Sequence, residues 1–98
     1  MRTLIATLVL LMALSAPAQA EQAYCENVAD MAERIMELRQ NGASAADVMA
    51  IAKGNDLLQA MTVEAYEGGR YRVEANQQRE IADFRDEWYL WCFKVRNK

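Results

Sequence analysis

The sequence predicts an all-α fold, a small bundle of about four helices in which the first and last are antiparallel and joined by a Cys25–Cys92 disulfide. Three observations carry this prediction. Apolar residues recur at steps of three and four in two stretches, Cys25, Val28, Ala32, Ile35, Met36 and Ile81, Phe84, Trp88, Cys92, Val95, which places each set on one face of a helix. Asn41-Gly42, Gly54 and Gly68-Gly69 punctuate the chain between those stretches into helical lengths, and no segment reads persuasively as a sheet. The two cysteines of the chain stand one on each apolar face, and matching Cys25 to Cys92 brings Val28 against Trp88 or Tyr89 and Ile35 against Ile81.

Taken in order, residues 1–20 read as a signal peptide. Arg2 supplies a positive start, Leu4 to Leu14 form an apolar run, and Ala18-Gln19-Ala20 matches the small-x-small cleavage pattern. That run is short of the about 20 residues a spanning helix needs, so no stable membrane anchor is expected after cleavage. Glu21, rather than a cysteine, follows the cleavage site, which disfavours lipid attachment. Residues 21–98 are then a single helical domain, exported to the periplasm or the extracellular space.

Helix 1 is expected from about Tyr24 to Gln40, with Glu26, Asp30 and Glu33 toward its N-terminal end and Arg39 at its C-terminal end, as the helix dipole favours. Ser44 caps a short second helix that ends by Lys53, with Asp47 in the place of a capping-box acid. Asn55 caps a third, Asp56 to about Glu67, whose inner face carries Leu58, Met61, Ala65 and Leu57. After an irregular connection through Arg70 to Val73, helix 4 starts near Val73 or Glu74 and runs almost to the end. Val48, Met49 and Ile51 are expected to find apolar cover where helices 2 and 3 pack on the helix 1–4 pair.

A domain this small gains much from a covalent staple, because cores of its size rarely supply more than about 3 to 5 kcal/mol. Two cysteines in an exported chain provide one, with two free buried thiols as the alternative. The formal net charge is −3, and loss of a leader carrying only Arg2 makes it more negative. Such a chain has no basic surface with which to displace counterions from phosphates, so no nucleic-acid partner is expected.

Several chemistries are missing from the composition. There is no histidine, the commonest general base and metal ligand. Beyond the leader, Ser44 and Thr62 are the hydroxyl nucleophiles; the first is explained as a cap and the second has no activating base. The cysteines form no C-x-x-C, so neither a redox nor a zinc motif is present. Glu80, Asp83, Asp86 and Glu87 lie along the outer face of one helix and cannot flank a cleft as a glycosidase pair must; they read as a solvated face. No enzyme activity, cofactor or metal is therefore expected.

Three features remain as candidates. Arg85 falls close to Cys92 on the face turned to helix 1, where it needs Glu67, a carbonyl at the end of helix 1 or 3, or an escape of its head to solvent. Glycines and arginines from Gly68 to Arg72, with Tyr66, Arg70, Tyr71 and Arg72 as its side chains, form a possible anion or ligand loop; a loop that only caps a helix would look the same. Trp88 to Phe93 has no polar residue and encircles helix 4, so Tyr89, Leu90, Trp91 and Phe93 make a candidate interaction surface unless helices 2 and 3 cover Trp91 or Phe93.

The stretches R-Q-x-G at Arg39 to Gly42, A-Y-E-x-x-R-Y at Ala65 to Tyr71 and D-F-R-x-E-W-Y-L-x-C at Asp83 to Cys92 resemble a group of small exported proteins of bacteria and their prophages with no assigned function. The resemblance spans nearly all of residues 21–98. It implies a helical domain with a terminal disulfide, of phage-borne origin, and carries over no catalytic residue. The expected role is an interaction module of the periplasm or envelope, binding an unknown protein or itself; the alternative is a small ligand-binding protein or enzyme centred on the Gly68–Arg72 loop.

Overall fold

The computed structural model describes residues 2–97, with side chains from residue 19 onward. Four helices are present among the described residues: α1 (Arg2–Gln40), α2 (Ala45–Ile51), α3 (Asp56–Glu67) and α4 (Glu74–Arg96). No strand occurs among them. The expected leader, with its Leu4–Leu14 run, lies outside the residues whose side chains are described. No described helix is long and apolar enough to cross a membrane.

α1 is the axis of the fold. α4 packs along it most extensively, α3 packs on it as well, and α2 packs chiefly on α3. The expected faces meet: Cys25, Val28, Ala32, Ile35 and Met36 of α1 are buried against Ile81, Phe84, Trp88 and Cys92 of α4 in one core. Ala29 and Ala32 are buried too, and their small side chains leave room for the rings opposite. Phe84 and Trp88 meet edge to face at 6.3 Å, an arrangement worth about 0.5–1.5 kcal/mol beyond area burial. The Cys25–Cys92 disulfide links α1 to α4 with the Cα atoms 5.5 Å apart.

The local signals for α2 and α3 act as expected. Ser44 Oγ accepts from the Asp47 amide and Asn55 Oδ1 from the Leu58 amide, so each helix has a side-chain N-cap. Gly42 and Gly54 adopt positive φ, 94° and 80°, in the turns after α1 and α2, a region where a Cβ is strained.

Four expectations need correction. α1 starts at Arg2 rather than near Tyr24: the leader is rich in helix-favouring Leu, Ala and Met, no glycine separates it from Tyr24, and Ser15 and Pro17 do not end the helix. Val95 is half-exposed although it follows Cys92 on the same face, since the buried face of α4 ends at Cys92. Ile51 is 71% exposed at the end of α2, a helix too short to turn Val48, Ala52 and Ile51 all inward. In α3, Met61, Thr62 and Ala65 are buried while Leu57 and Leu58 are half-buried. Thr62 can enter the core because its hydroxyl donates to the Leu58 carbonyl at 2.7 Å.

Candidate functional site

The Gly68–Arg72 loop is bound to the C-terminal end of α1. Gln40, whose side chain is buried, donates from Nε2 to the Gly69 carbonyl at 3.0 Å and accepts at Oε1 from the Tyr71 amide at 2.8 Å. Arg39 Nη2 donates to the Gly68 carbonyl and Arg70 Nε to the Gln40 carbonyl. The Tyr66 hydroxyl donates to the Ala43 carbonyl, and burial pushes its pKa up, which keeps the donor proton in place. The Arg39 guanidinium lies 4.7 Å from the Tyr66 ring centroid as a cation–π contact. Helix ends leave carbonyls without intrahelical partners, and Arg70 supplies a donor to that of Gln40 while Arg39 and Gln40 donate to the loop carbonyls of Gly68 and Gly69.

Of the loop's candidate side chains, Tyr66 and Arg70 are thus committed to holding α1, α3 and the loop together. The Arg70 guanidinium also lies over Gly42, where an added Cβ would come within 2.8 Å of Nη2. Arg70, Tyr71 and Arg72, with Gln77, border an open polar cavity on the outer side of the loop. The side chain that sequence reasoning missed is Gln40. Its position at the end of an apolar face, directly before the Asn41-Gly42 turn, was the available signal.

Arg85 pairs with neither Glu67 nor a helix-end carbonyl. It reaches Asp30 at 2.5 Å and Glu33 at 2.8 Å on α1, and the Asp30 hydrogen bond first, then the charge of both carboxylates, raises its pKa further. The helix dipole alone does not account for Asp30 and Glu33: their spacing of three puts both carboxylates on the α4 side, where they meet Arg85. Nearer the disulfide, Arg96 makes a two-pronged contact with Glu21 at 2.6 and 3.1 Å and lies 4.1 Å from the Tyr24 ring centroid. That hydrogen bond holds the Glu21 carboxyl below the usual carboxylate range.

The collar on α4 divides between core and solvent. Trp88 and Cys92 are buried, Tyr89 is half-buried, and Leu90, Trp91 and Phe93 are 54%, 45% and 42% exposed. Helices α2 and α3 therefore leave both Trp91 and Phe93 uncovered. Tyr89 and Phe93 stack nearly parallel at 6.5 Å, and Trp91 meets Trp88 edge to face at 5.1 Å. Leu90 is exposed on the outer side of the helix between Trp91 and Phe93, with Asp86, Glu87 and Lys94 exposed around it.

On the outer acidic face Asp83, Asp86 and Glu87 are exposed as expected and Glu80 is half-buried, and Glu87 also stands beside Glu64 of α3. Partial burial first, then the Glu87 charge, pushes the Glu64 pKa up. Among the described residues no three metal-ligating side chains converge. Compared with family models, curated proteins and solved structures, the chain matches none of them.

Proposed function

We propose that the protein is an exported interaction module of the periplasm or envelope, of prophage origin and without enzymatic activity, and that it binds a protein partner or a second copy of itself through the α4 collar. The carrying observation is the exposure of Leu90, Trp91 and Phe93 together on a small acidic domain. Isolated apolar residues on a surface are ordinary, whereas adjoining aromatic and aliphatic side chains of this kind mark contact surfaces. The disulfide is consistent with an oxidising compartment. The rival reading, a ligand site at Gly68–Arg72, is weakened because Tyr66 and Arg70 already serve the end of α1.

The test is sedimentation of the oxidised protein across a concentration series, together with capture from an envelope extract, for wild type and Leu90→Glu. The new carboxylate would join an exposed acidic face, so the fold is expected to survive while association is lost. A wild-type protein that stays monomeric and retains no partner would remove the proposal.

A further inference from the structure

The outer face of α4 is open over about three turns. Asp83, Asp86, Glu87, Leu90, Phe93 and Lys94 recur along it at helical spacing, and all of them are exposed. Charge on this face divides about Leu90. Ahead of Leu90 stand Asp83, Asp86 and Glu87, while beyond it α4 carries Lys94 and Arg96 and no acidic residue. Arg96 is occupied by Glu21, but among the described residues Lys94, Asp83, Asp86 and Glu87 take part in no ion pair. Lys94 lies about 10 to 12 Å along the axis from Glu87 and Asp86, outside the reach of the i,i+3 and i,i+4 pairs that form on one helix. Glu87 also has Glu64 beside it, so the charge that suits its surroundings is positive.

We infer that the occupant of this face is the same face of a second copy of the chain, packed antiparallel about a two-fold axis at Leu90. This rests on the reading of the collar as a contact surface and goes further by naming the partner and the register. A two-fold interface must be complementary to itself, and an acidic half followed by a basic half is so only when the two helices run in opposite directions. Leu90 then meets Leu90 of the second copy and lies beside its Phe93. Glu87 and Lys94, seven residues apart and so on one side of the helix, stand about one turn to either side of the axis. Each Glu87 therefore faces Lys94 of the other copy, and the contact is made twice. A parallel pairing would set Glu87 against Glu87 and Lys94 against Lys94. An apolar centre flanked by ion pairs that choose the orientation is the arrangement by which coiled coils select their partners.

Sedimentation equilibrium of the oxidised protein is expected to show a monomer and a dimer in exchange, with the dimer abolished by Leu90→Glu. Glu87→Lys and Lys94→Glu, each at an exposed position, should each weaken dimerisation about tenfold or more while the helical circular dichroism is unchanged. Mixing these two variants should restore the dimer, because one chain then offers lysine and the other glutamate at both contacts. The double exchange in a single chain should restore it as well. In a mixture of ¹⁴N and ¹⁵N protein, zero-length carbodiimide coupling should join Glu87 of one copy to Lys94 of the other. A protein that stays monomeric but captures an envelope partner in a Leu90-dependent way would overturn this inference and leave the collar reading standing. A Leu90-dependent dimer indifferent to the charge exchanges would do the same, whereas a dimer that survives Leu90→Glu would overturn both.

Discussion

The two ends of the α1–α4 pair are held by different physics. Where α1 ends, Gln40, Arg39, Arg70 and Tyr66 distribute hydrogen bonds over the backbone of two loops, and α2 and α3 cover the apolar residues alongside. At the Cys25 end the buried residues of α1 are small, a covalent bond is added to their packing, and the large rings of α4 face outward as well as inward. The difference indicates a division of labour. Hydrogen bonding and burial fix the fold at one end, while the disulfide allows the other to expose apolar surface without losing its position.

The largest effect is expected from breaking the staple. It closes 67 residues of sequence separation, for which loop-closure entropy gives roughly 4 kcal/mol. Reduction, or Cys25→Ser with Cys92→Ser, should therefore lower the melting temperature by about 4 to 8 °C for each kcal/mol lost. A thermal melt in the presence and absence of reductant measures it, and coincident curves would show that packing alone holds the collar end.

The next effect belongs to the opposite end. Gln40→Leu keeps the volume but leaves the Tyr71 amide and the Gly69 carbonyl without their partner, which should cost about 2 to 3 kcal/mol in urea unfolding. Gly42→Ala should cost about 1 kcal/mol or more, since it combines a positive φ with a close approach to Arg70. Loss of less than half a kcal/mol in both would mean that the loop is not a clamp.

Smaller effects separate the functional surface from the scaffold. Leu90→Glu should change stability by less than about 0.5 kcal/mol, as exposed substitutions do, while abolishing association. Glu64→Gln should raise the melting temperature slightly at neutral pH. The sign follows from linkage: a carboxyl whose pKa is raised on folding is destabilising when ionised, and the penalty fades as pH falls through the folded pKa and is gone below the unfolded one. The gain from Glu64→Gln should accordingly vanish in acid. Melting curves from neutral pH to about pH 3.5, below the ordinary Glu value near 4.3, measure it, and a gain that grows on acidification would contradict the assignment.

Most of the scaffold was legible in the sequence because it rests on local rules. Periodicity placed Cys25 opposite Cys92, and Ser44 and Asn55 announced their helices. Long-range polar pairing was not legible. Arg85 was recognised as needing a partner, yet nothing local could choose Asp30 and Glu33, which are more than 50 residues away in sequence. Gln40 looked like a helix end because its partners lie in a loop about 30 residues further on. Glu87 is solvent-exposed as its place on the outer face implies, but its approach to Glu64 was not legible, since it depends on how α3 and α4 sit on α1. The collar was visible as an apolar run, but its exposure depended on where α2 and α3 came to rest.

Amide hydrogen exchange of the oxidised and reduced protein, compared segment by segment, tests the division between the two ends most directly. On reduction, the amides of α4 from about Phe84 to Val95 and of α1 around Cys25 are expected to lose protection first, while those around Leu38 to Ala43 and Thr62 to Tyr66 keep theirs under the same conditions. Protection lost equally everywhere, or retained around Cys92 after reduction, would contradict the conclusion that the disulfide rather than packing holds the collar in place.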